Sequence, residues 1–331
     1  MPSTSREVHL VRRPEGMPVP EDFGVVDTAL PDITAGQLRV QNLLLSIDPA
    51  MRPRLSAGQP LNEPMSGSAI GRVVQSLNPD FAEGDYVMHG ASFREFVNTE
   101  GRGVRKLNVD PALPPSVYMH VLGGSGFVAY GGLLAIGQMK DGEQVFVSTA
   151  AGSVGSVAVQ VAKIHDCYVI GSTGSDEKCR WLTEDLGIDV AINYKKDPIR
   201  TALKAAAPRG IDVYFDNVGG AHLNAALPRM NVLGRIPVCG MISAYNNFGA
   251  ISDPVTTLSN IIYGRITIRG FVATDFPELK PRFDEEMTAW VKSGRVKYQE
   301  TFYEGIENAG AAIIGMLNGV NTGKMMVRLA Q

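Results

Sequence analysis

Hydrophobic and polar positions follow two different rhythms along this chain. Up to about residue 121 the apolar residues fall in short alternating runs, at 69–75, 85–89 and 93–98, bounded by Gly, Pro, Asn and Asp. Such runs predict short strands of a small, mostly β domain, with no helix longer than a turn or two. After Gly123 the rhythm changes. From Glu143 onward, β-branched apolar runs alternate with segments of helical period: EQVFVSTA, SVGSVAVQVAKIH, CYVIGS, DEKCRWLTEDLG, VAINY, PIRTALKAAA and IDVYFDNV open a series that continues to RFDEEMTAWVKSG. Strands alternating with helices of this length predict βαβ units in a parallel sheet wound on both faces, an α/β fold. Asp197 before Pro198 predicts a helix N-cap, and Asp176 with Glu177 puts negative charge on the first turn of an upstream helix.

The tail reads as a strand at 300–303, a helix at 306–317 and a strand at 324–329, which does not extend that series. It is assigned back to the first domain. The chain therefore divides into 1–121, 122–292 and 293–331, the first and last parts forming one domain around the doubly wound one.

Composition narrows the class. The 331 residues suffice for about two domains, and 44% hydrophobic with 20% charged residues is ordinary globular usage. A net charge of −3 without a basic run argues against nucleic acid as the main ligand. Two stretches, 118–139 and 144–162, carry no formal charge, but glycines and polar residues interrupt both, so they are expected to be buried soluble structure and not membrane spans. The polar, basic start MPSTSREVHLVRRP shows no export signal. Three cysteines, Cys167, Cys179 and Cys239, form no paired framework, which suits the reducing cytoplasm.

The clearest chemistry lies at AAGSVG (150–155), after an apolar strand and at the head of a helical run. This is a dinucleotide fingerprint with alanine at its first glycine position. Gly152 permits close approach of a pyrophosphate, Gly155 lets helix and strand pack, and the helix N-terminus favours the anion. About 20 residues on, an NAD-binding unit presents Asp or Glu to the ribose. Here the chain reads GSTGS (171–175), followed by Lys178. Small residues leave room for a 2′-phosphate and Lys178 neutralises it, so NADP(H) is the expected cofactor.

An ordered set of motifs extends this: SIDPAMR (46–52), GRVVQSLNPDFAEGDYV (71–87), AAGSVGSVAVQVAK (150–163), GSTGSDEK (171–178), INYKK (192–196), DVYFDNVGG (212–220), GRIPVCGMISAYN (234–246), RGFV (269–272) and NTGK (321–324). Over essentially its whole length the chain resembles the zinc-independent medium-chain dehydrogenase/reductase superfamily, in the branch of NADP-dependent alkenal double-bond reductases and prostaglandin reductases. The resemblance implies a split, GroES-like catalytic domain beside a Rossmann domain, and reduction of the carbon–carbon double bond of α,β-unsaturated aldehydes or ketones. By position, Gly152, Ser153, Val154, Gly155 and Ser156 fall on the diphosphate, and Lys178 and Tyr194 on the adenosine 2′-phosphate. Asn217, the segment with Cys239, Gly240, Ser243 and Tyr245, then Phe271, Val272 and Ala273, and finally Asn321 fall on the ribose and nicotinamide. A homodimer is also implied, with the edge strand at 266–272 able to pair between subunits.

Some positions depart from the family pattern. Ala50 stands where Tyr is common, Val128 replaces Thr, and Gly131 replaces Phe. With Gly123-Gly124-Ser125 they exchange bulk for space, which implies a wide pocket for a bulky enone, lined by Ala50, Met51, Phe93, Tyr130 and Tyr245. Compensation by Phe93, Tyr130 or Phe248 is the alternative. Gly67-Ser68-Ala69 replaces the Gly-His-Glu of zinc-dependent relatives, all cysteines lie after residue 160, and the five histidines (9, 89, 120, 165, 222) show no ligand spacing, so no metal is expected.

In the expected reaction NADPH delivers hydride to the β-carbon and an enolate develops, met by the Tyr245 hydroxyl and the ribose 2′-hydroxyl. Quinone reduction on the same scaffold, and a non-catalytic NADPH-binding role, remain the alternatives.

Overall fold

The structure is a computed structural model that describes residues 3–246 and 254–330. It forms two compact units, residues 1–119 with 300–331 and residues 120–299. The outer boundary lies at 299/300, seven residues beyond the expected one. Segment 293–299 stays with the second unit because Gln160, on a helix of that unit, donates to the Lys297 carbonyl at 2.8 Å and accepts the Lys297 N–H at 2.7 Å.

The first unit begins with an antiparallel pair, β1 (Thr4–Leu10) and β2 (Phe23–Ala29). A larger sheet is built from β3 (Leu38–Ile47), β4 (Ala69–Ser76), β5 (Tyr86–His89), β6 (Phe96–Thr99) and β7 (Arg105–Lys106), with β3 pairing both β4 and β6. The helix Met51–Ala57 is two turns long. Where a strand over 93–98 is expected, β6 starts only at Phe96: Phe93 sits at φ +53°, outside the extended region, and its carbonyl accepts the Val8 N–H at 2.8 Å.

The second unit carries β8 (Gln144–Val147), β9 (Tyr168–Thr173), β10 (Val190–Asn193), β11 (Ile211–Phe215), β12 (Met230–Val238) and β13 (Thr267–Gly270). All pairs are parallel, in the order β10-β9-β8-β11-β12-β13. This is the doubly wound order, whose reversal between β8 and β11 opens a crevice at the carboxyl ends of the strands. Crossover helices include Gly155–Ile164, Asp176–Arg180, Ile199–Ala206 and Gly220–Ala226. The core between sheet and helices is apolar, and at its centre the rings of Phe146 and Tyr214 stack 4.7 Å apart on neighbouring strands. The cap expected of Asp197 is not made: Pro198 itself occupies the N-cap of Ile199–Ala206, and no side chain caps that helix. Asp176 and Glu177 do lie on the first turn of their helix, behind Ser175, whose hydroxyl accepts the Lys178 N–H.

The two uncharged stretches become loop, strand and short buried helix, and among the described residues no helix is long and apolar enough to cross a membrane. The chain then returns to the first unit with β14 (Glu300–Glu304), the helix Ala309–Leu317 and β15 (Lys324–Arg328). β15 runs parallel to β14 and antiparallel to β3, so it completes the sheet that the N-terminal part began.

Candidate active site

The phosphate turn lies between β8 and the helix Gly155–Ile164. β8 is buried along its whole length, and the chain leaves it through Ser148 and Thr149, the latter at φ +51°. Ala150 donates its N–H to the Ser172 carbonyl at 2.9 Å, and Gly152 donates back to the Thr149 carbonyl at 2.9 Å. A Cβ on Gly155 would overlap the Thr149 carbonyl, so only glycine lets the helix start this close to the strand. The first N–H groups of a helix have no intrahelical acceptor, and no side chain caps this one. The Ser156 hydroxyl on that first turn is buried without a partner, the kind of orphan a bound oxyanion satisfies. Ser153 is gripped from the side, its hydroxyl donating to Ser125 Oγ at 2.8 Å and its carbonyl accepting from His120 Nε2 at 3.1 Å. Val154 completes the turn as the residue before the helix.

At the end of β9 the backbone of 173–175 is lined by cations. Gly174 is the cradle: a Cβ there would lie 3.2 Å from Lys195 Cε and 3.3 Å from Tyr194 Oη. Burial, and then the facing Lys195, push the Lys178 ammonium below the ordinary lysine range. Two ammonium groups held where they oppose each other are matched by an anion with more than one charge, such as a phosphate monoester. The nearest carboxylate after β9, Asp176, accepts from Asn193 Nδ2 at 2.6 Å and is paired with Lys196, which turns it away from a ribose-binding role. Tyr194 packs edge-on against His222, with centroids 5.1 Å apart. Lys195 is the residue that reading the sequence overlooked. Its only signal was adjacency to Tyr194 in INYKK, which carries no spacing rule.

The residues expected on the nicotinamide side begin at the ends of β11 and β12. Asn217 Nδ2 donates to the Ser148 carbonyl at 2.7 Å, tying the chain after β11 to that after β8. Cys239 and Gly240 donate their N–H groups to the Asp216 carbonyl, at 2.8 and 3.2 Å. Burial pushes the Cys239 thiol up to about 12, so it stays protonated and unreactive at neutral pH. Ser243 donates N–H and Oγ to the Val218 carbonyl at 3.2 and 2.6 Å. On this turn, the Tyr245 hydroxyl accepts the Met241 N–H at 3.3 Å and leaves its own proton to donate. A Cβ on Gly240 would sit 3.2 Å from that hydroxyl, so the glycine gives it room. Phe271 packs edge-on against Phe215, Val272 is exposed and donates its N–H to Asp275 at 3.1 Å, and Ala273 opens the short turn that follows.

Several expected pocket residues have other duties. Tyr130 is fully buried and donates to Glu286 at 2.7 Å, with its ring among Phe283 and Trp290. Phe93 is fully buried in the core of the first unit, and Met51 nearly so beside it. Tyr130 and Phe93, both expected to line the pocket, are here fully buried in the packing of their own units. The space freed at Gly131 is taken by the ring of Phe276, so it does not widen a pocket. Ser125 of the small-residue stretch is engaged by the phosphate turn. Ala50 is exposed at the head of its helix, while Asn321, in the first unit, donates Nδ2 to the Gly323 carbonyl at 2.7 Å. Phe248 lies outside the described residues.

A doubly wound sheet with an uncapped glycine turn, a paired-lysine corner and a phenol at its carboxyl edge defines a dinucleotide-dependent oxidoreductase. Residues 6–107 match the family described as the N-terminal domain of oxidoreductase, and residues 153–293 the family described as zinc-binding dehydrogenase. Among the described residues no three or more His, Cys, Asp or Glu are grouped to hold a metal ion. The chain is 38% identical to the NADPH-dependent curcumin reductase of Escherichia coli, over 97% of this chain and 96% of that protein. It is 40% identical to prostaglandin reductase 1 of Rattus norvegicus, over 95% and 96% of the two. The crystal structure of CurA from Vibrio vulnificus in complex with NADPH superposes with a TM-score of 0.92 at 35% identity, covering 98% of this chain and 99% of that one. The chain belongs to the medium-chain dehydrogenase/reductase superfamily, in its zinc-independent alkenal and prostaglandin reductase branch.

Proposed function

We propose that this NADP-dependent oxidoreductase reduces the carbon–carbon double bond of α,β-unsaturated aldehydes and ketones. The observation that carries the reading is the Tyr245 hydroxyl, held by the Met241 N–H at the carboxyl edge of the sheet with its proton free to donate. When bound, NADPH supplies the hydride that adds to the β-carbon of the conjugated carbonyl. The electron pair of the double bond moves toward the carbonyl oxygen, where the Tyr245 O–H donates to the developing enolate. The α-carbon takes its proton from solvent or through the hydroxyl network of Tyr245 and the ribose, which balances the reduction. Gly152, Ser153, Val154, Gly155 and Ser156 hold the diphosphate. Lys178, Tyr194 and Lys195 hold the 2′-phosphate. Asn217, Cys239, Gly240, Ser243, Phe271, Val272, Ala273 and Asn321 serve the nicotinamide side, and Ala50 and Met51 the substrate.

The relatives support the substrate class by name, since curcumin is a conjugated enone. A panel of 2-alkenals, enones and quinones, with NADPH oxidation followed by the absorbance of the reduced cofactor, tests it. Turnover of the enones, with a saturated product, is expected. Turnover of quinones alone, or NADPH binding with no turnover of any compound, would overturn it.

The protein acts as a homodimer in the reducing cytoplasm, where its three thiols stay free. β13 is the outer strand of its sheet and all four of its residues are exposed, while Ile262 and Tyr263 beside it are 72% and 84% exposed. An open strand edge flanked by apolar side chains is a template for pairing with a second copy. Light scattering is expected to give twice the chain mass, and a monomer would overturn this.

A further inference from the structure

A carboxylate is buried where the sheet reverses direction. Asp216 follows β11 and is fully buried, beside Ser148, which follows β8 and donates its N–H to the Phe215 carbonyl at 3.2 Å. These two strands flank the crevice at the switch point. Four donors converge on one oxygen, Asp216 Oδ1: the Tyr214 hydroxyl at 2.6 Å, the Gly219 N–H at 2.8 Å, the Val218 N–H at 2.9 Å and the Ser148 hydroxyl at 3.3 Å. Ser148 Oγ in turn accepts the Asn217 N–H at 2.9 Å. The second oxygen, Oδ2, makes no hydrogen bond at all.

Such a residue is a poor choice for stability alone. Burial raises the Asp216 carboxyl above its usual range, and well-packed apolar groups in place of a buried charge are often as stable or more so. The carboxylate does supply geometry. Its side chain fixes the turn at 217–219, and its backbone carbonyl holds the N–H groups of Cys239 and Gly240. From that turn, the Asn217 carbonyl accepts the Ile242 N–H and the Val218 carbonyl accepts the Ser243 N–H, both at 3.2 Å. Tyr245 therefore stands on a bed of backbone bonds whose base is Asp216 and Ser148.

We propose that Asp216 and Ser148 are positioning residues for the reduction: they set the 217–219 turn, and through its carbonyls they set the place of the Tyr245 hydroxyl. This rests on Tyr245 being the enolate donor. Neither residue touches substrate. A donor displaced by a fraction of an ångström loses transition-state stabilisation while ligands still bind.

The test uses the full chain with NADPH saturating and trans-2-hexenal as substrate, reading single-turnover hydride transfer. Ser148→Ala removes one small buried hydroxyl, and Asp216→Val removes the acceptor. Each is expected to slow the step about tenfold when Tyr245 is present, and by less than about twofold in a Tyr245→Phe background, the non-additivity of groups that act as a unit. Asp216→Asn keeps an oxygen at the Oδ1 position and is expected to stay within about threefold of the parent. A slowing of equal size in both backgrounds, or a lowered Tm with an unchanged rate, would overturn the proposal, and Ser148→Ala decides alone if the Val variant does not fold. An unchanged rate in Tyr245→Phe by itself overturns the donor reading and this proposal with it. A slow Tyr245→Phe beside a normal Ser148→Ala overturns only the positioning.

Discussion

The ring of Phe276 occupies the space that a side chain on Gly131 would need: three of its atoms overlap the position of a Cβ there. Both residues are buried, and Phe276 also packs on Phe127 at a centroid distance of 5.1 Å. The glycine thus marks a tight contact and not a vacancy. Gly131→Ala is expected to destabilise the protein by about 1–3 kcal/mol through overpacking. Adding Phe276→Leu to it should recover part of the loss. Thermal or urea denaturation of the two variants checks this, and a Gly131→Ala protein as stable as the parent would refute it.

The cofactor corner predicts a graded response. Lys178→Ala removes a charge-assisted contact worth about 1.5–3 kcal/mol, so the KM for NADPH should rise roughly 10- to 150-fold while that for NADH barely changes. Lys195 is exposed, and screening reduces its share to about 1 kcal/mol, roughly fivefold. Steady-state kinetics with both cofactors measures both effects. Equal use of NADH and NADPH by the unaltered protein would remove the phosphate role from this corner.

Tyr245→Phe keeps the ring and removes the hydroxyl proposed as the enolate donor. Loss of an oxyanion donor costs about 2.7–4 kcal/mol elsewhere, but a second donor sharing the charge brings the expected slowing to about 10- to 100-fold. NADPH affinity should change little. Single-turnover measurement is needed because slow product release masks the chemical step in kcat.

His89 makes stability depend on pH. Its Nε2 donates to Asn42 Oδ1 at 2.8 Å and its Nδ1 accepts the Ala91 N–H at 3.2 Å, so both nitrogens are used by the neutral ring. Burial, followed by the charge of Arg94, pushes its pKa down to about 4. The unfolded chain takes up this proton near pH 6.5 and the folded one only near pH 4. The stabilisation is therefore complete above about pH 6.5 and is lost as pH falls toward 4, to a total of about 3 kcal/mol. Urea melts of the parent and of His89→Gln across this window should show the shallower loss in the variant. Parallel pH profiles would exclude His89 as the cause.

Metal independence is checked by dialysis against a chelator followed by assay and elemental analysis. Activity should be unchanged and zinc well below one per chain. One zinc per chain with activity restored only by metal would reverse the expectation.

The parallel sheet was legible in the sequence because each of its strands is an apolar run set off by a helix of different period. β3 was not, although it pairs with three neighbours, because it is buried on both faces and LRVQNLLLSI shows little alternation. The glycine turn at 150–155 was readable since its glycines answer to a fixed local geometry. Lys195, Phe276 and Asp216 were not, because each acts through a partner distant in sequence. Phe93 and Tyr130 read as pocket residues since aromatic side chains suit a pocket and a core alike.

The return of the chain to its first unit has a consequence for how the molecule is made. The edge of β3 that β15 covers stays open during synthesis until residues 324–328 have left the ribosome. By then all of 120–299, a self-contained unit built mostly of neighbouring βαβ pairs, has been available to fold. The second unit is therefore expected to mature first, while the nascent first unit waits with an unpaired strand. Ribosome-stalled chains in which residue 299 has left the exit tunnel and residues 324–328 have not should contain a protease-resistant second unit attached to a protease-sensitive N-terminal segment.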